Sequence, residues 1–221
     1  MERVLIVGGS GMVGTQLQKM FLDCGYVVAV LGRSSSNISN VKTYLWNVES
    51  KTIDEAAITT ADYIINLAGA GIVDTRWTAK RKEQLIDSRV DSTQFLLQTI
   101  IKTNAKPKVF VAASAIGYYG NSTTERQFVE EDLPSNDFLG NCCKLWEEAS
   151  QKVMEMGVKR VVLRIGVVLA HNGGMLEKVK PLFNWGLGSA IGNGKQAISW
   201  IHIDDLCACF IKAIEQMKDF Q

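Results

Sequence analysis

GGSGMVG, Gly8 to Gly14, lies between an unbroken apolar run, Val4-Leu5-Ile6-Val7, and a stretch in which Val13, Leu17, Met20, Phe21 and Cys24 recur at helical spacing up to Gly25. An apolar run without alternation suits a strand buried on both faces, so Met1 to Val7 reads as such a strand and the glycines as its turn into a helix. The first amides of that helix have no partner within it and stand at the positive end of its dipole. Glycines let an anion come close to that backbone, and a pyrophosphate suits the position. Gly8, Gly9, Ser10, Gly11, Met12, Val13 and Gly14 are therefore the expected cofactor-binding residues. The spacing fits GxxGxxG from Gly8 or GxGxxG from Gly9, both closing on Gly11 and Gly14; an ordinary strand-to-helix turn is the simpler alternative.

A dinucleotide site chooses its coenzyme roughly 20 residues past the glycines, at the end of the second strand. That strand reads as Tyr26 to Leu31, and Gly32, Arg33, Ser34, Ser35 and Ser36 follow it. Between Asp23 and Glu49 the chain carries no carboxylate. A carboxylate grips the ribose hydroxyls of NAD, whereas a guanidinium beside hydroxyls suits the 2′-phosphate of NADP. The expected cofactor is NADP(H), with Arg33 and Ser34 on that phosphate; the alternative is that Arg33 only solvates a polar loop.

The chain has 221 residues, 47% of them hydrophobic, and a formal charge of +1. This length is enough for one α/β domain with a smaller lobe. Near neutrality argues against a nucleic-acid partner. Cys24, Cys142, Cys143, Cys207 and Cys209 show no metal-ligand spacing, and an odd count fits a reducing compartment. No leader precedes the first strand and no apolar stretch would span a bilayer, so a cytoplasmic protein without a membrane partner is expected. Further strands read at Lys42 to Trp46, Asp62 to Leu67, Lys108 to Ala113 and Arg160 to Ile165, with helices from about Thr78 to Lys102 and Leu139 to Met156. That alternation predicts an α/β fold, a doubly wound parallel sheet of the Rossmann type. Residues 1–170 form the expected binding domain, and 171–221 a partial substrate lobe with the last elements of the sheet domain.

GGSGMVG, INLAGAGI (Ile65 to Ile72), RWTAKRKEQLIDSRV (Arg76 to Val90), SAIGYYG (Ser114 to Gly120) and SWIHIDDL (Ser199 to Leu206) together resemble the short-chain dehydrogenase/reductase superfamily. Within it the match is to the atypical extended branch, the YfcH-like proteins labelled nucleotide-sugar epimerases, of the epimerase/dehydratase type. The resemblance covers essentially the whole chain. It implies an NADP-binding Rossmann core, with Leu67, Ala68 and Gly69 lining the cofactor and Arg89 near it. Arg76, Lys80, Arg81 and Lys82 also read as a solvated helix face. The resemblance further implies a nucleotide sugar or similar small molecule as partner. Members of the branch continue past the IHIDDL helix into a segment that helps enclose the substrate, so the lobe here is expected to be small and incomplete. The oligomeric state stays open, a homo-oligomer included.

Extended members use a Tyr-x-x-x-Lys pair to move a proton while nicotinamide exchanges a hydride. Here the pair is absent. Anchoring the helix on Trp146 and Glu147 puts Leu139 at the tyrosine position and Cys143 at the lysine position; a shift by one gives Gly140 and Lys144. The assisting hydroxyl position falls on Ala115, with Ser114 one residue early. Ser114, Tyr118 and Tyr119 are the candidate catalytic residues, and buried tyrosines packed beside a glycine turn are the alternative. The expected function is an NADP(H)-dependent oxidoreductase, an epimerase, dehydratase or reductase. Its rivals are a noncatalytic NADP(H)-binding regulator and a binder of FAD or another nucleotide. Gly173 to Trp200 suits a loop over a polar ligand, in which Lys195 either holds a diphosphate or is solvated. His202 is expected to point away from Ile201 and Ile203, and Asp204 to cap the following helix. Cys142 and Cys143 read as inert buried sulfur, with a depressed thiol pKa beside Lys144 as the alternative.

Overall fold

The computed structural model describes all residues except 35, 73, 74, 121–125, 172, 191, 192, 220 and 221, and omits the side chains of 218 and 219. The opening strand β1 (Arg3–Val7) runs into α1 (Met12–Asp23), then β2 (Val27–Gly32) and β3 (Lys42–Asn47). There follow β4 (Thr52–Ile53), α2 (Ala56–Thr59), β5 (Tyr63–Asn66), α3 (Ala79–Lys102) and β6 (Val109–Ala115). The chain continues through a 3-10 turn (Ile116–Tyr119), α4 (Phe138–Gln151), β7 (Lys159–Ile165), β8 (Val167–Leu169), α5 (Gly174–Asn184), β9 (Trp200–His202) and α6 (Ile203–Asp219).

Among the described residues, seven strands form one sheet in the order β4-β3-β2-β1-β5-β6-β7, parallel except for the short antiparallel β4. The expected doubly wound sheet is present, with β1 between β2 and β5. Its unalternating apolar run follows from burial on both faces. Leu5 and Val7 pack with Phe95, Leu96 and Ile100 of α3, whereas Val4 and Ile6 pack with Leu17 and Phe21 of α1 and Leu206, Phe210 and Ile214 of α6. The edge strand β7 is different, since all of its residues are only partly buried.

The helix ends follow local chemistry. α1 stops where Gly25, at φ +81°, lets Tyr26 N reach Phe21 O and its own N–H reach Leu22 O, a Schellman motif. Thr78 caps α3 by accepting from Arg81 N. The helix expected to run to Met156 ends at Gln151 and tightens into a 3-10 turn over Lys152–Met156, closed by Gly157 in the left-handed region. β4, α2 and the β8–β9 pair were not legible, being two to four residues long. β8 and β9 pair with each other in parallel, Val168 opposite Ile201, and α6 packs back on the sheet beside α1.

Phe210→Ala should lower stability by about 3–5 kcal/mol, a fall of roughly 6–20 °C in melting temperature. The change removes a ring buried between α6 and the sheet. Leu45→Ala, at an exposed site, should stay within about 0.5 kcal/mol in the same thermal melts.

Candidate functional site

The carboxyl ends of β2, β1, β5 and β6 lie side by side, so the segments that follow them share one rim of the sheet. Ligands of open α/β sheets bind at such a rim. At the first of these segments Gly8 has φ +79°, and a Cβ there would stand 3.1 Å from the backbone of Leu67 and Ala68. A Cβ at Gly9 would meet the Val30 side chain at 2.8 Å, and one at Gly14 the Gly9 backbone at 2.6 Å. At Gly11 the nearest atom is 3.9 Å away. Gly8 makes the turn, Gly11 faces open space, and Gly14 brings helix and strand together, so the spacings from Gly8 and from Gly9 both fit the packing. Gly9 is required by packing under β2. Gly11 is also the N-cap of α1, and among the described residues no side chain caps that end. Ser10 is exposed, and Met12 and Val13 are half-buried in or beside the first turn. An anion therefore fits this turn on the shape and polarity of the backbone alone.

Arg33 and Ser34 follow β2 and are exposed beside the glycine turn, whose Gly8 N–H donates to Leu31 O at 3.0 Å. Ser36 instead turns its hydroxyl inward, donating to Oε1 of Gln18. Ser35 lies outside the described residues.

The segment after β5 is held from several sides. Asn66, fully buried, donates to Thr93 Oγ1 and accepts from Ala68 N. Ser88 Oγ accepts from Ala70 N, and Arg89 donates to Ala70 O at 2.9 Å and Leu85 O at 2.8 Å. Arg89 is 6% exposed, lies over the Trp146 ring, and has its pKa pushed below its ordinary value by burial. Its guanidinium is thus committed to its own backbone, and it shapes the Leu67–Ala70 loop. Leu67 is half-buried, Ala68 buried and Gly69 exposed on that loop. Arg81, read as solvated from sequence, donates to Gly71 O, because the RW segment folds back over the loop with Trp77 bonded to Ile72 O.

After β6 the structure assembles a polar chain that the sequence did not disclose. Ser114, 2% exposed, donates to Glu147 Oε1 at 2.6 Å. Glu147 takes Nε and Nη2 of Arg164 at 2.9 and 3.0 Å, a bidentate pair. Nη1 of Arg164 donates to the Tyr119 hydroxyl oxygen at 2.9 Å and to Glu130 O. The guanidinium also faces the Tyr118 ring at 3.6 Å, and Tyr119 stacks on Phe128. Glu147 holds the Arg164 pKa above its ordinary value against the opposing effect of burial. Ser114, Tyr118 and Tyr119 are therefore brought together, but through Glu147 and Arg164. The available signal was Arg164 itself, a charge inside the apolar strand VVLRI. Tyr119, Glu147 and Arg164 also border an open cleft of about 660 Å³ that runs along the outer edge of β7 toward Ser199 and Trp200.

Both registers of the helix anchor fall on α4. Leu139 and the Cys143 sulfur lie beside Gly117 of the 3-10 turn, whereas Lys144 points to solvent near Glu148. Burial raises Cys142 and pushes the Cys143 thiol up to about 11, the opposite of an activated thiol. Lys195 is exposed, and no residue of α5 is buried. His202 is exposed as expected, but Asp204 does not cap α6. Its carboxylate accepts from Gln16, and His202 Nδ1 accepts from Asp204 N instead, because β9 brings the imidazole to the helix entrance. Among the described residues no His, Cys, Asp and Glu cluster could hold a metal, and no helix is long and apolar enough to cross a membrane.

The model of the NAD dependent epimerase/dehydratase family matches residues 4–221. The chain belongs to that family. Epimerase family protein ML0860 of Mycobacterium leprae is 36% identical over 215 residues, covering 97% of this chain and 68% of its own length. YfhF of Bacillus subtilis, another epimerase family protein, is 33% identical, with 96% and 70% covered. Among solved structures, human epimerase family protein SDR39U1 (isoform 2) with NADPH superposes at a TM-score of 0.84 and 30% identity, over 98% of this chain and 71% of that one. UDP-glucuronic acid 4-epimerase of Bacillus cereus, with a TM-score of 0.82 at 18% identity, shares the epimerase fold.

Alkylation of the native protein with iodoacetamide at pH 8, read by peptide mass spectrometry, should label exposed Cys24 and Cys209 and spare Cys142, Cys143 and Cys207. Cys207, pushed up to about 12 by burial, and Cys143 stay protonated at that pH. Their labelling should rise only as the pH climbs toward those values or as the protein unfolds.

Proposed function

We propose that this member of the epimerase/dehydratase family binds NADP(H) and exchanges a hydride with an alcohol or carbonyl carbon of a small substrate, a nucleotide sugar by resemblance. One observation carries the reading: a helix N-terminus above Gly11 with no side-chain cap among the described residues stands beside an exposed Arg33 and Ser34, in a stretch of sequence without Asp or Glu between Asp23 and Glu49. The human relative with NADPH supports it. Gly8, Gly9, Ser10, Gly11, Met12, Val13 and Gly14 would hold the pyrophosphate, Arg33 and Ser34 the 2′-phosphate, and Leu67, Ala68 and Gly69 the adjoining wall, with Arg89 keeping that wall in place.

When bound, the nicotinamide supplies the hydride chemistry. The proton falls to Tyr119. Its oxygen accepts from Arg164, which leaves its own hydrogen free to point elsewhere, and it borders the cleft. Arg164 brings beside that oxygen the positive charge that lysine brings in the Tyr-x-x-x-Lys pair. Tyr118 presents its ring face to the same guanidinium, and Ser114 acts by holding Glu147. Residues 171–221 would supply a partial wall for the substrate.

A noncatalytic NADP(H)-binding regulator is the second reading, favoured by the absence of a Tyr-x-x-x-Lys pair from α4, where the anchor on Trp146 and Glu147 gives Leu139 and Cys143. Calorimetric titration with NADPH and NADH tests the coenzyme. Arg33→Ala should weaken NADPH at least about tenfold and leave NADH unchanged, as expected for lost charge-assisted hydrogen bonds. Turnover with NADPH and a panel of nucleotide sugars, ketones and aldehydes tests the rest. Tyr119→Phe should lower kcat by about 10²-fold or more while coenzyme binding persists. Tight NADPH binding without turnover on any substrate favours the regulator.

A further inference from the structure

Gln18 lies on the inner side of α1 between Leu17 and Phe21 and is 1% exposed. A buried amide is costly unless its polar atoms are matched. Here they are: Nε2 donates to Gly9 O at 2.8 Å and Gly14 O at 3.1 Å, and Oε1 accepts from Ser36 Oγ at 2.7 Å. Ser36 is itself fixed twice more. Its N–H donates to Thr43 Oγ1 on β3 at 2.9 Å, and its hydroxyl oxygen accepts from Ile38 N at 3.2 Å. One side chain thus ties the glycine turn to the loop that begins with Arg33 and Ser34.

We propose that Gln18 and Ser36 form a clamp that sets the Arg33–Ser34 loop at a fixed distance from the glycine turn, and so determines the preference for a coenzyme with a 2′-phosphate over one without it. This rests on the NADP(H) reading above. The pyrophosphate and the 2′-phosphate are separated by a span that the ligand dictates. Two anion sites therefore bind it best when their separation is fixed before it arrives, because a loop that must be ordered on binding subtracts from the affinity. NADH uses the glycine turn but has no phosphate to place in the loop. Gln18 also supports the carbonyls of the turn itself, so its removal affects both coenzymes, whereas Ser36 isolates the loop. Both are positioning residues.

The test measures dissociation constants of NADPH and NADH on the full chain by calorimetry, with a thermal melt for each variant. Ser36→Ala should raise the NADPH constant about three- to tenfold, the range of one neutral hydrogen bond. The NADH constant should hold while the melting temperature falls by roughly 2–12 °C, because Gln18 Oε1 loses its partner, and Ser36→Thr, which keeps the hydroxyl, should restore both the preference and the melting temperature. A merely structural serine would move the melting temperature with no change in preference, or both coenzymes together, and either outcome overturns the clamp. Arg33→Ala separates the two levels of the argument. If it abolishes the preference while Ser36→Ala leaves it intact, the clamp is wrong and the NADP(H) site stands. If neither variant alters the preference, the site reading fails and the clamp falls with it.

Discussion

Everything at the rim of the sheet depends on one close approach, that of the Gly14 backbone to the Gly9 backbone. A methyl group at Gly14 would sit 2.6 Å from its neighbour, well inside van der Waals contact. Only with hydrogen at that position can α1 lie directly against β1, aim its uncapped end across the turn and still bury Leu17 and Phe21 against the sheet. The open space above Gly11 results from this packing.

The polar interior follows a different rule. Asn66, Arg89, Ser114 and Gln18 are all nearly inaccessible, yet each has its hydrogen bonds made within the chain. Buried polar groups of this kind cost free energy when unmatched and specify geometry when matched. Each is placed where two segments of the rim must keep a fixed relation: strand end to loop, helix to loop, strand to helix. Glu147 and Arg164 extend the pattern toward the cleft as a bidentate pair that also engages both tyrosines of the 3-10 turn.

The parallel sheet was legible because its signal is periodicity: VLIV cannot belong to a strand with one wet face, and helical spacing from Val13 to Cys24 admits little else. The glycine turn was legible as a motif, although what makes Gly8 and Gly9 obligatory, the contacts with Leu67 and Val30, is remote in sequence. Ser114 and the two tyrosines stood out in the sequence as candidates, but their connection runs through Glu147 and Arg164, and pairings over such separations leave no local pattern. Arg81 and Asp204 show the same limit. Each looked like a solvated charge or a cap, and a distant carbonyl or amide decided otherwise. The short elements β4, α2, β8 and β9 are stabilised by tertiary contacts, so propensity alone could not reveal them.

The contact between Gly8 and the backbone of Leu67 and Ala68 also has a temporal side. A ribosome releases β1 and α1 long before β5, so the nascent chain carries one bare flank of its first strand until some sixty further residues have emerged. Closing that long crossover is the slow, entropically opposed step of such a topology. The anion cradle therefore matures late, after the fourth parallel strand docks beside β1 and brings Leu67 and Ala68 against Gly8.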